Sequence, residues 1–171
     1  MLNTVTQHVS AMAADGDRKA LRPVFNALAD RLSSQSLSSA GLVIKAGASA
    51  IVKTGSAAYY GLANGVLVTK AAATDMAALV GTVTNAKFNV YCFYVDSAGT
   101  LTTAMGTEGA TLAAVKFPPS PAGKAMIGFV VINPTGTGNF VGGTTALDDA
   151  TVVPTAAYVN TQGAFDPTVL I

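Results

Sequence analysis

The chain has one cysteine, one histidine and no tryptophan, and charged side chains make up only 11% of its 171 residues. Each scarcity excludes something. Cys92 has no partner for an internal disulfide, so the fold does not depend on a disulfide framework and nothing points to an oxidising compartment. It lies in an apolar, strand-like run, where a small buried hydrophobe is expected rather than a reactive thiol. With His8 the one histidine, a zinc site would have to be built mainly of carboxylates, which is unusual. No metal and no cofactor is therefore expected. The formal net charge is +1, and no basic run with interleaved aromatics occurs, so phosphate-led binding of nucleic acid is not expected. The longest apolar run, 125–132, is too short to cross a bilayer as a helix. No basic segment followed by an apolar one opens the chain, so no signal peptide is visible and no membrane partner is expected.

What the chain does have is apolar surface. Half its residues are hydrophobic, whereas globular domains usually carry about 25% charged residues. A domain of this size buries a sizeable core, yet so low a charged fraction leaves apolar area over. The composition predicts that part of the exterior is covered by other chains. A homo-oligomer, dimer or trimer, is the common symmetric solution.

The pattern divides near Gly41, giving a helical N-terminal arm with a Ser-rich linker over 1–40 and a β-domain over 41–171. In the arm, Val5, Val9 and Met12 can line a short first helix, which Ala13 to Asp17 should end in a Gly-Asp turn. A second helix carries Leu21, Phe25, Leu28 and Leu32 at spacings of three and four, forming one stripe. Pro23 belongs in the first turn of that helix, where a missing N–H costs nothing; a helix starting at Asp17 would place it where it kinks. The serines between Ser33 and Ser39 read as a flexible linker. Such a stripe must be buried against something, because a helix this short is marginal alone in water. Leu21, Phe25, Leu28 and Leu32 are thus the candidate interface.

After Gly41, short apolar runs alternate with Gly, Asn, Thr and Pro. Strands are expected over 42–44, 50–53, 58–62, 65–70, 89–96, 101–105, 111–116, 126–133 and 158–160. The run from Tyr91 to Val95 suits a strand buried on both faces. Asp96 to Thr100 is a hairpin loop, with Gly99 free to take positive φ. The segment from Ala71 to Leu79 fits a helical turn or a loop equally well. The fold class is mainly β, a sandwich or jelly roll preceded by the arm.

The convergent titratable groups of a catalytic site are missing. No Gly-x-Ser-x-Gly elbow occurs; Gly47-Ala48-Ser49-Ala50-Ile51 comes nearest and lacks the last glycine. Gly123-Lys124 has neither the upstream glycine nor the following hydroxyl of a phosphate loop, and it reads as a turn before a strand. Gly136-Thr137-Gly138 lacks the third glycine of a dinucleotide site. Asp148-Asp149 offers carboxylates for calcium, although an exposed turn is the simpler reading. The chain is not expected to be an enzyme.

The stretch Phe117-Pro118-Pro119-Ser120-Pro121-Ala122-Gly123-Lys124-Ala125-Met126-Ile127-Gly128 opens an apolar strand, followed by Asn133-Pro134-Thr135-Gly136-Thr137-Gly138-Asn139-Phe140 and Gly142-Gly143-Thr144-Thr145. In this style, the chain from Gly41 on resembles virion structural proteins of tailed bacteriophages. The resemblance implies a protein made in the host cytoplasm and resident on the virion capsid surface. Its partners would be itself and the major capsid protein, as a decoration or cement subunit bridging capsomers. A fibre or tail appendage that binds a host surface has the same style. A different class, a stand-alone carbohydrate-binding β-module, needs exposed aromatics; without tryptophan, Tyr59, Tyr60 and Tyr158 are its candidates. On the virion reading the arm attaches to the shell or to sister subunits, and the β-domain is exposed.

Overall fold

A computed structural model describes residues 15–165. It is mainly β, with one N-terminal helix and several antiparallel sheets. The helix α1 spans Asp15–Ser33. Eleven strands follow: β1 (Gln35–Ser36), β2 (Val43–Ile44), β3 (Val52–Lys53), β4 (Tyr59–Ala63), β5 (Val66–Lys70), β6 (Thr82–Val83), β7 (Asn89–Val95), β8 (Leu101–Met105), β9 (Ala125–Ile132), β10 (Phe140–Val141) and β11 (Ala156–Asn160). Val5, Val9, Met12 and His8 lie outside the described residues.

The centre is a four-stranded antiparallel sheet in the order β11-β9-β7-β8. β7 runs through its middle and is buried at every residue, as its unbroken apolar run from Val90 to Val95 requires. Tyr91, Phe93 and Val95 point into the main core, with Ile127, Val130 and Ile132 of β9. Val90, Cys92 and Tyr94 point the other way and join Met126 in a second cluster, closed by Val115, Phe117, Phe129 and Phe165. The Phe117 and Phe129 rings meet edge to face at 5.0 Å. Burial pushes the Cys92 thiol up to about 12, so it stays protonated and unreactive near neutral pH. The β7–β8 hairpin turns where expected. Asp96 accepts the N–H groups of Ala98 and Thr100 at 3.0 and 2.8 Å, and Gly99 has φ +79°.

A three-stranded sheet, β1-β4-β5, contributes Tyr59, Ala63 and Val68 to the same main core. Its hairpin closes on Asn64-Gly65, both at positive φ (50° and 76°), the residues that a two-residue turn of the right twist favours. Two small pairs, β2-β3 and β10-β6, complete the strands. The 71–79 segment is a loop, tied to β3 by a bridge between Asp75 and Lys53.

Four local expectations change. First, α1 begins at Asp15, so Gly16 and Asp17 are helical rather than a turn, and Pro23 sits well inside the helix. Its ring nitrogen has no hydrogen to offer the Lys19 carbonyl, four residues back. Second, 111–116 forms a 3-10 turn at Leu112–Ala114 instead of a strand. The run has no alternation of buried and exposed faces, and Leu112 lies exposed. Third, β6 and β10 are strands with no expected counterpart; each has two residues, too few to show a period. Fourth, the serine-rich segment is not a loose tether. Gln35 and Ser36 pair with Leu62 and Gly61 of β4, and Ser36 is buried.

The chemistry of that fourth change lies at a bulge in β9. The β7–β9 register shifts between Phe93 and Tyr94 and passes over Ile127; next to this bulge lies the Met126 carbonyl. Two buried hydroxyls satisfy it: Ser36 Oγ donates at 2.6 Å and Thr161 Oγ1 at 2.7 Å. The Tyr59 hydroxyl lies 2.8 Å from Ser36 Oγ and donates to it, since the serine proton is already committed. The serine also gives the buried Tyr59 hydroxyl its acceptor, and a buried polar group left without a partner costs free energy.

Candidate interaction surface

The candidate residues all lie on α1, and the way its C-terminus is held fixes where they point. The last four carbonyls of a helix lack intrahelical partners. Here each finds a donor. Ser33 Oγ donates to Asp30 O at 2.9 Å, Ser34 N to Arg31 O at 3.3 Å, Gln35 Nε2 to Leu32 O at 2.9 Å and Gly65 N to Ser33 O at 2.8 Å. The last of these ties the helix end to the β4–β5 turn, and a bond from Asn64 N to Ser34 Oγ at 3.1 Å reinforces it. On its side, the Asp30 carboxylate accepts the Gly123 N–H at 3.0 Å. Gly123 takes φ +71° in the turn before β9, the turn that Pro-Ala-Gly-Lys was expected to form.

Asp30 lies roughly opposite Phe25, Leu28 and Leu32 around the helix, since successive residues turn by about 100°. Anchoring Asp30 on the body therefore turns the stripe away from it. Leu21 is 41% exposed, Phe25 38%, Leu28 52% and Leu32 57%. The structure brings the four together on one face and leaves each of them more than a third exposed. A helix capping its own sheets, the simplest alternative, would have buried them.

Sequence reasoning missed other members of this surface. Val24 flanks the stripe and is 62% exposed; its position beside Phe25 and Leu28 on the wheel was the available signal. The outward face of the three-stranded sheet carries Tyr60 and Leu67, and the exposed Leu37 follows β1 directly. Val66-Leu67-Val68 held the clue, because three apolar residues in a row force one onto the wrong face of a strand. Of the three tyrosines considered for sugar binding, Tyr59 is buried, Tyr158 packs against the core and Tyr60 is exposed.

The remaining chemical candidates occupy structural positions. Both Asp148 oxygens accept the Ala48 N–H, at 3.1 and 3.0 Å, across the 46–49 turn. Asp149 Oδ1 accepts Thr151 N and Val152 N, so both carboxylates are engaged with backbone. Ser49 Oγ accepts the Ile51 N–H. Lys124 Nζ donates to Thr102 Oγ1 at 3.1 Å. The backbone N–H of Thr84, with its hydroxyl, holds the Glu108 carboxyl below the usual range. Among the described residues, no three or more of His, Cys, Asp and Glu group as metal ligands, and no helix is long and apolar enough to cross a membrane. Comparison with protein-family models, with curated proteins and with solved structures yields no match to this chain.

Proposed function

We propose that this chain is a structural, non-enzymatic module that works by association through its N-terminal helix. The observation that carries this reading is the apolar face of α1, held rigidly at its C-terminal end and left open along Leu21, Phe25, Leu28 and Leu32. Each apolar Å² removed from water contributes about 25 cal/mol, so a face of this kind is costly unless something covers it. The three- and four-stranded sheets, whose inward residues share one core, are read as the two layers of a sandwich that carries the helix.

Within that class, the reading is a decoration, or cement, subunit on the outside of a tailed-bacteriophage capsid. The resemblance of the region after Gly41 to virion proteins supports this step. A body with few charges also suits close packing among identical copies, where weak contacts sum to large avidity. The helix attaches to sister subunits or to the major capsid protein, and the β-body faces outward. Immunogold labelling of purified virions of the phage that encodes the chain tests the assignment. Regular labelling over the head is expected. Label confined to the tail, or absent from the particle, would overturn the capsid assignment.

A further inference from the structure

We infer that α1 binds copies of itself as a parallel, in-register coiled coil whose seam is Leu21, Phe25, Leu28 and Leu32. The inference rests on the self-association proposed above and names its element, partner and geometry. The seam residues are spaced four, three and four apart. That is the a/d spacing of a coiled coil, with Leu21 and Leu28 at d and Phe25 and Leu32 at a.

The same register accounts for features that played no part in choosing it. Pro23 falls at f, an outer position, and is exposed, so the ring stays out of the seam. Asp30 also falls at f, and its bond to Gly123 keeps the helix attached to its own body by the outer face.

The hydrogen-bonded joint at Ser33 gives the reason for the parallel sense. Parallel helices bring the bodies together at one end, where Leu37, Tyr60 and Leu67 lie exposed close to the helix terminus. Those faces then meet across the axis. This matters because fewer than three heptads are marginal on their own. Antiparallel helices would place the bodies at opposite ends and leave these residues in water. Val24 at g and Ala29 at e widen the apolar face beyond a narrow seam, which accommodates two or three helices.

The test uses the full chain. Sedimentation at micromolar concentration should give a mass of two or three chains. Leu28→Asp should weaken association at least ~100-fold, as expected for a central interface position. It should leave near-ultraviolet circular dichroism and the melting of the β-body in place, because Leu28 makes no core contact there. Leu21→Cys should form a disulfide between copies on mild oxidation, since only an in-register parallel pair brings identical d positions together. Asn26→Cys, at the outer position b, should not, and Cys92 is too buried to compete. An oligomer that survives Leu28→Asp, or cross-links equally through residues 21 and 26, would overturn the coiled coil while leaving self-association standing. A wild-type monomer, including one in which residues 1–14 cover the stripe, would overturn both.

Discussion

Helix α1 and strand β7 each carry a clear apolar pattern and meet opposite fates. Every residue of β7 is buried, between a main core on one face and a smaller cluster on the other. The apolar stripe of α1 is open along its length. An apolar pattern therefore states that burial is needed without stating which surface supplies it. β7 finds its cover within the chain, from β8, β9 and the segment that reaches Phe117. The Asp30–Gly123 bond and the Ser33–Gly65 bond aim α1 elsewhere.

The largest expected contrast lies between two phenylalanines. Phe93→Ala in β7 should destabilise the fold by about 3–5 kcal/mol, as loss of a large buried side chain does. Phe25→Ala should leave the unfolding of the dilute single chain almost unchanged and reduce association instead. Denaturant unfolding at low protein concentration, set beside sedimentation of the same variants, reads both. Equal losses of stability would erase the distinction between the two regions.

The joint between the regions comes next. Ser36→Ala removes a donor to the Met126 carbonyl and the acceptor of the Tyr59 hydroxyl, and should cost about 1–3 kcal/mol in urea melts. Truncation at Gly41 should cost more, because it deletes β1 with that hydroxyl. Truncation at Ser34 should preserve the melting of the β-body.

The core also sets a pH dependence. Burial raises the Tyr91 hydroxyl from 10.0 to about 12 and the Cys92 thiol from 9.0 to about 12. In both groups the folded state holds its proton more tightly than the unfolded state. Their contribution is fully present below pH 9 and is lost as pH rises from there toward 12. Thermal melts should thus fall steeply across that alkaline window, and Cys92 should react slowly with thiol reagents in the native state and rapidly in urea. Native labelling as fast as denatured labelling would remove Cys92 from the core. The smallest effect belongs to the exposed Lys45–Asp75 pair, at 2.5 Å. Asp75→Asn should change stability by at most about 1 kcal/mol, since exposed ion pairs contribute little.

The mainly β class, the long strands and the stripe itself were legible because each rests on a period carried by several residues. β8 could be placed at 101–105 and β7 within one residue of its end for that reason. What escaped was set by tertiary partners. Gln35 and Ser36 look like linker until the Met126 carbonyl beside the bulge in β9 and the Tyr59 hydroxyl meet the serine hydroxyl. Pro23 looks like a helix start until the helix proves long enough to carry it on an outer face. β6 and β10 exist because Thr82–Val83 and Phe140–Val141 meet across the fold, a contact between distant segments that two-residue runs cannot announce. The four interface candidates could be chosen by spacing alone; their direction depended on Asp30, a polar residue outside the stripe.

If copies of the chain cover the α1 stripe, amide hydrogen exchange across residues 21–32 depends on protein concentration. Protection should rise with concentration in step with the sedimentation mass, while protection of β7 stays high throughout. Fast exchange in 21–32 at every concentration, with β7 protected, would contradict it.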